Sequence, residues 1–135
     1  MVFELIQIIE GEPELAHLID HALRRALNRT NIAHDGAAGL CEVKRLRPQL
    51  VVLDVMSSEF NGYEVCRVLR MTPETKRIPI LMISASGPPT HGTTALALGA
   101  DEYLTIPFSL RKLMRRVTAL LERDCAKQST YGTPR

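Results

Sequence analysis

The ten residues RPQLVVLDVM, at positions 47–56, decide the fold of this 135-residue chain. Leu50 to Leu53 form an uninterrupted apolar run, without the polar alternation of a strand that has one face in water. A strand of this kind is covered on both faces, which is typical of a parallel sheet between two layers of helices. The run ends at Asp54, so we expect a carboxylate at the carboxyl end of a central strand.

The rest of the chain repeats a pattern of strand, turn and helix. Apolar and β-branched runs predict strands at 3–9, 31–33, 50–53, 78–84 and 102–104. Apolar stripes with helical spacing predict helices at 13–27, 37–46, 63–71 and 109–123, with a weak one at 93–98. Parallel strands need crossovers of about a dozen residues. The alternation therefore predicts an α/β fold, an open doubly wound sheet of five parallel strands.

Polar side chains follow several of the predicted strands. Glu10, Asp54 and Ser84 all occupy strand ends, and the chemistry of open α/β sheets gathers beyond the carboxyl ends of the strands. The sequence has no phosphate-cradling glycine fingerprint, nucleophile elbow or zinc-type spacing of Cys and His. We therefore expect neither an enzyme nor an organic cofactor.

Composition narrows the class of protein further. A chain of this length with 45% apolar residues predicts one domain, assigned to residues 1–124, and a polar, aperiodic stretch at 125–135 predicts a flexible tail or truncated linker. The net charge of +2, from 17 Lys and Arg against 15 Asp and Glu, is too close to zero for the positive field that nucleic-acid binding requires. Three cysteines without metal spacing, and no signal peptide or membrane span, predict a cytoplasmic protein with protein partners.

Five motifs, in matching order and spacing, resemble the receiver domain of bacterial two-component response regulators over residues 3–123. They are EGEP at 10–13, RPQLVVLDVM at 47–56, NGYEV at 61–65, ILMISA at 80–85, and LGADEYL at 98–104 followed by Pro107-Phe108. The resemblance implies a flavodoxin-like (βα)5 fold with strand order 2-1-3-4-5 and helices on both faces.

The resemblance also implies a site. In that family an Asp at the end of the third strand accepts a phosphoryl group from a histidine kinase, and Asp54 holds this position here. The family holds Mg²⁺ with an acidic pair after the first strand, the acceptor Asp and a backbone carbonyl two residues beyond it. The matching positions are Glu10, Gly11, Asp54 and Met56.

Further parts of the family switch have counterparts in this sequence. Ser84 matches the hydroxyl that senses the phosphoryl group, and Tyr103 matches the aromatic residue that rotates on the fifth strand. The face of the fourth helix, fifth strand and fifth helix is the one through which the resemblance allows a homodimer. The GPP sequence at 87–89 predicts a late start and a short fourth helix. The bond before Pro107 is left open between cis and trans.

Two positions depart from the family pattern. Gly11 replaces the acid that usually binds the metal directly, and Mg²⁺ demands near-ideal octahedral oxygen geometry. Ile106 replaces the Lys that contacts the phosphoryl group, a charge-assisted contact worth on the order of 2 to 3 kcal/mol. We therefore expect Mg²⁺ binding at Glu10, Asp54 and Met56 to be weak or absent.

Three hypotheses for function follow from the sequence. The first is an atypical receiver that acts as a protein-interaction module without standard Asp phosphorylation, with a histidine kinase or other signalling protein as its partner. The second is a working Mg²⁺-dependent phosphoacceptor, phosphorylated on Asp54. A flavin-binding enzyme on the same fold is disfavoured, since residues 10–12 put acids where a phosphate would sit.

Overall fold

The computed structural model describes residues 4–57, 60–85 and 90–132. Its strands are β1 (Leu5–Ile9), β2 (Arg29–Ala33), β3 (Leu50–Asp54), β4 (Met56–Ser57), β5 (Phe60–Asn61), β6 (Ile80–Ala85) and β7 (Glu102–Ile106). Its helices are α1 (Pro13–Arg25), α2 (Gly36–Leu46), α3 (Gly62–Met71), α4 (Thr90–Ala97) and α5 (Leu110–Gly132).

The main sheet has five parallel strands in the order β2-β1-β3-β6-β7. This confirms the predicted order 2-1-3-4-5, since β4 and β5 form a separate two-stranded antiparallel ribbon. The order reverses direction between β1 and β3, where the register pairs Ile9 with Leu53. Glu10, which follows β1, and Asp54, the last residue of β3, therefore meet at the carboxyl edge of the sheet.

Strand β3 lies between two hydrophobic cores, as its apolar run predicts. Leu50 and Val52 belong to the core formed with α1 and α5, while Val51 and Leu53 belong to the core formed with α2, α3 and α4. All four side chains are 0% exposed, and full burial of one such side chain stabilises a fold by about 1.5–3 kcal/mol. The strand that ends on Asp54 is therefore fixed from both faces.

The helices begin where local chemistry favours their first turns. Pro13 opens α1, at a position where a missing N–H costs nothing. The Asp35 side chain caps α2 by accepting a hydrogen bond from the Ala38 N–H at 2.8 Å, and Asn61 caps α3 through the Tyr63 N–H at 2.9 Å. The two caps fix the helices that follow β2 and β5.

One arginine ties α3 to the amino-terminal ends of β6 and β7. The Arg70 guanidinium donates to the carbonyl oxygens of Gly99 at 2.8 Å and Ile78 at 2.6 Å, and to the carboxylate of Asp101 at 2.7 Å. Asp101 in turn accepts a hydrogen bond from the Ile80 N–H at 2.8 Å. This network sits at the edge of the sheet opposite Asp54 and supports the fold.

Three features differ from the sequence-based expectations. Helix α5 runs past Arg123, its predicted end, to Gly132. The strong helix formers at 126–128 outweigh the weaker ones around them. The domain boundary near 124 stays a prediction. Helix α4 is short, as expected, but begins at Thr90; the GPP sequence at 87–89 lies outside the described residues. The β4–β5 ribbon was not predicted, since two-residue strands leave no periodic signal.

Two further observations bear on the predictions. The Ile106–Pro107 peptide bond, left open by the sequence, is cis. Across residues 4–57, 60–85 and 90–132, no helix combines the length and the apolar character that a membrane crossing would require.

Candidate functional site

The site is built on a pair of buried carboxyl groups at the point where the strand order reverses. Asp54, the last residue of β3, is 6% exposed, and Glu10, directly after β1, is 1% exposed. Both strands are hydrogen-bonded neighbours, so the two side chains enter the same pocket and interact through a hydrogen bond. The structure thus brings together the two predicted acids.

Glu10 is held by its main chain as well as by its side chain. Its N–H donates to the Ala33 carbonyl at 2.9 Å, and its own carbonyl accepts a hydrogen bond from His34 Nδ1 at 3.0 Å. The Glu10 Oε2 atom accepts from the Glu12 N–H at 3.0 Å. Three contacts from β2, the β2–α2 turn and the start of α1 therefore fix this carboxyl group against Asp54.

The surroundings of the second carboxyl oxygen of Glu10 favour the protonated form of this side chain. Oε1 is buried, and no N–H or O–H of the described residues donates to it. Burial, followed by the hydrogen bond and charge of Asp54, raises the pKa of Glu10 from 4.5 to about 8. Two carboxyl groups in contact cannot both ionise without a large cost. The raised pKa keeps Glu10 mostly protonated at neutral pH.

Helix α3 closes the pocket from the far side of Asp54. A Cβ atom on Gly62 would lie 2.5 Å from the Asp54 carbonyl oxygen and 2.6 Å from the Val55 Cα, far inside van der Waals contact. The Gly62 N–H also donates to the Val55 carbonyl at 3.0 Å. A glycine here lets the first turn of α3 pack directly on the backbone that carries Asp54.

The two predicted switch residues lie on the strands beyond Asp54. Ser84 is 0% exposed and follows Ile83, the β6 partner of Asp54. Tyr103 is half-buried on β7 and packs against the core that holds α2, α3 and α4. Tyr103 also faces Tyr63: burial, and then the charge of a neighbouring tyrosinate, raise the pKa of Tyr63. Their roles in switching stay predictions.

The two departures from the family pattern lie at the ends of β1 and β7. Gly11 is the bend between β1 and α1, where it offers backbone atoms alone. Ile106 is the last residue of β7, opposite Ala85 of β6, and is half-buried. Neither position can bring a charge to the pocket.

The residues predicted to hold Mg²⁺ bring two buried carboxyl side chains to the site, those of Glu10 and Asp54. The described residues contain no cluster of three His, Cys, Asp or Glu side chains that could hold a metal ion. Met56, whose carbonyl was predicted as a ligand, lies in β4 and pairs with Asn61. Mg²⁺ commonly takes one or two carboxylates together with waters and phosphate oxygens. Weak or absent Mg²⁺ binding stays a prediction.

Sequence reasoning missed two features of the site. It did not predict the contact of His34, whose exposed imidazole anchors the Glu10 carbonyl; its position directly after β2 was the available signal. It also compared Glu10 with a metal ligand only. The raised pKa of Glu10 depends on contact with Asp54, 44 positions away in sequence, which no local pattern reveals.

Comparison with known proteins places these features in a family. The family profile described as the response regulator receiver domain matches residues 6–118. The phosphate regulon transcriptional regulatory protein PhoB of Rhizobium meliloti is 36% identical over 128 residues, covering 95% of this chain and 56% of the relative. The DNA-binding response regulator MtrA of Mycolicibacterium smegmatis is 37% identical over 119 residues, covering 88% and 51%.

Solved structures give the same result. The receiver domain of the Francisella response regulator 1452 matches with a TM-score of 0.82 and 25% identity, covering 89% of this chain and 98% of that one. The Vibrio cholerae chemotaxis protein CheY4 shares the fold with a TM-score of 0.83 at 23% identity, covering 88% and 99%. The chain spans about half the length of the transcriptional regulators that it matches.

Proposed function

The chain belongs to the response regulator receiver domain family, and from this premise we propose that it is an atypical receiver of two-component signalling. It acts as a protein-interaction module rather than an enzyme, and its signalling does not depend on standard phosphorylation of Asp54. A histidine kinase or another signalling protein is the partner class that fits the family. A homodimer through α4, β7 and α5 is compatible with this role.

The observation that carries the proposal is the charge of the pocket. Attack of a carboxylate on phosphorus requires an ionised nucleophile and cations that neutralise the phosphoryl oxygens. A glycine stands at position 11 in place of the acid that usually binds the metal, and Ile106 stands where the family carries Lys. The loss of the Lys contact alone, at about 2–3 kcal/mol, slows transfer by about 30- to 150-fold.

The pocket nevertheless keeps the shape of a receiver site. Glu10 and Asp54 are buried side by side, Ser84 is buried on the next strand, and Gly62 keeps α3 tight against the acceptor strand. The site thus keeps the packing of the fold without the Mg²⁺-binding acid and the Lys of the family pattern. This combination fits a domain that stays in one conformation and binds a partner through its surface. The partner then reads the surface of the domain, and the charge state of Asp54 has no part in the signal.

A second candidate function is the working phosphoacceptor. The buried Glu10 Oε1 favours it, because this atom has no donor among the described residues and a bound cation would satisfy it. The two candidates make opposite predictions for phosphorylation of the purified chain.

Incubation with acetyl phosphate, with and without Mg²⁺, followed by intact mass measurement, tests the proposal. We expect no stoichiometric phosphoryl adduct under either condition, and the same result for Asp54→Asn. Rapid, Mg²⁺-dependent and stoichiometric addition that disappears in Asp54→Asn would refute the proposal in favour of the phosphoacceptor.

A further inference from the structure

The outer edge of the sheet at β2 is open. Strand β2 is the first strand in the sheet order and pairs with β1 alone. The Arg29 N–H bonds the Glu4 carbonyl at 2.8 Å, and the Ala33 carbonyl accepts from Glu10 at 2.9 Å. Main-chain groups of alternate residues in a parallel strand point to opposite sides. Those of Thr30 and Ile32 therefore point away from the sheet.

A cavity of about 580 Å³ lies at the end of this open edge where β2 begins. Thr30 faces α1, because its hydroxyl bonds Asp20 and Arg24 of that helix. Asn31 faces the opposite layer, because its amide bonds Glu42 of α2. The cavity is lined by residues from both helix layers and from the first residues of β1 and β2. Its lining residues are Leu5, Arg24, Asn28, Arg29, Thr30, Asn31 and Leu46.

The surface around the cavity is basic. Helices α1 and α2 both end at this side of the sheet, and their last turns carry Arg24 and Arg25, and Lys44 and Arg45. Arg24 is held over the strand by Thr30 at 3.0 Å, with Asp20 3.6 Å away. Arg45 is paired with an acid of α2. Among the described residues, no ion pair involves Arg25, Arg29, Lys44 or Arg47.

A strained apolar residue stands beside the same cavity. Leu27 has a φ of 68° and is 57% exposed. A left-handed backbone costs an ordinary residue about 1–2 kcal/mol, and glycine is the usual choice at the end of a helix. A partner that covers Leu27 would remove from water an apolar side chain that is now exposed, which favours binding.

From these observations we propose that the β2 edge surface, formed by Arg24, Leu27, Arg29, Lys44 and Arg47, binds an acidic segment of a protein partner in extended conformation. The segment adds a strand by pairing with the outward main-chain groups of Thr30 and Ile32. Its carboxylates pair with the arginines. Strand pairing favours a polypeptide over a nucleic acid, which has no main chain to continue the ladder. The inference does not depend on the state of Asp54, so its failure would leave the proposed function standing.

A labelled peptide of alternating Glu and Val residues is the probe. We expect saturable binding by fluorescence anisotropy, with ¹⁵N chemical-shift changes centred on the amides of Thr30 and Ile32. Replacement of Arg29 and Arg47 by Glu should weaken binding at least about tenfold. The matched control reverses two exposed charges elsewhere, Lys76→Glu and Arg115→Glu, and should leave the affinity within about twofold.

Four results would overturn the proposal. They are the absence of saturable binding, equal loss of affinity in the control variant, equal binding of a peptide with Pro in place of each Val, and tighter binding of a single-stranded oligonucleotide of the same charge at the same amides. Absence of saturable binding would mean that the basic residues only prevent other strands from pairing with an exposed edge. Equal loss in the control variant, or equal binding of the Pro peptide, would show that binding is unspecific charge attraction. Tighter binding of the oligonucleotide would identify the ligand as a nucleic acid.

Discussion

Replacement of the buried acid Glu10 by Gln tests the raised pKa of this carboxyl group at the centre of the site. Gln keeps the size of a protonated Glu: its amide can donate to Asp54, and its oxygen can accept from the Glu12 N–H. In the parent protein the pKa of Glu10 is raised from 4.5 to about 8. The native state therefore holds more protons than the unfolded state between these pH values, and the free energy of unfolding falls as pH rises through that window.

The size of the pH-dependent loss in unfolding free energy follows from the interval between the unfolded and the folded pKa of Glu10. At about 1.4 kcal/mol per pH unit, a rise from 4.5 to about 8 sets a ceiling of about 5 kcal/mol on this loss. The measured range from pH 5 to pH 8 covers about three of these pH units, so we expect about 2–4 kcal/mol. Glu10→Gln removes this dependence, so its stability relative to the parent protein should rise by that amount from pH 5 to pH 8.

Urea denaturation at pH 5, 6, 7 and 8 measures the effect, with the slope of the transition compared between proteins. Glu14→Gln, which changes an exposed acid of α1, is the matched control and should follow the parent curve. Parallel pH profiles for the parent and Glu10→Gln would refute the raised pKa of Glu10.

Two further predictions concern the packing that supports the site. Gly62→Ala places a Cβ atom 2.5 Å from the Asp54 carbonyl oxygen, so we expect it to lower the free energy of unfolding by about 2 kcal/mol or more; a midpoint in urea unchanged from the parent would contradict this reading. Arg70→Ala breaks a half-buried network with Asp101 and should cost about 2–3 kcal/mol, whereas Arg67→Ala removes an exposed pair and should leave the free energy of unfolding close to that of the parent protein. Equal costs in the two arginine variants would show that the network adds nothing.

The sheet and its order could be predicted because they depend on patterns within short windows. The unbroken run at Leu50 to Leu53 identifies a strand covered on both faces, and the alternation with helices fixes a parallel sheet. The place of Asp54 follows from the end of that run. The family motifs then supply the strand order, which composition and periodicity do not determine.

The remaining features depend on contacts between distant segments. The raised pKa of Glu10 needs Glu10 and Asp54 buried side by side, and the anchoring by His34 needs the end of β2 beside the end of β1. The cavity on β2 needs the ends of two helices on either side of an edge strand. The length of α5 was underestimated because composition was given more weight than helix propensity. These errors arise where tertiary structure, or propensity summed over a turn, outweighs the local pattern.

The most direct test of the account is the gain of phosphorylation in a repaired pocket. The double variant Gly11→Asp, Ile106→Lys restores an acid and a cation at the two positions that depart from the family. Its phosphorylation by acetyl phosphate is measured by intact mass with and without Mg²⁺, beside the parent protein. The account predicts a stoichiometric adduct that needs Mg²⁺ and Asp54 in the double variant, and none in the parent. An adduct that forms at the same rate in both proteins would contradict it.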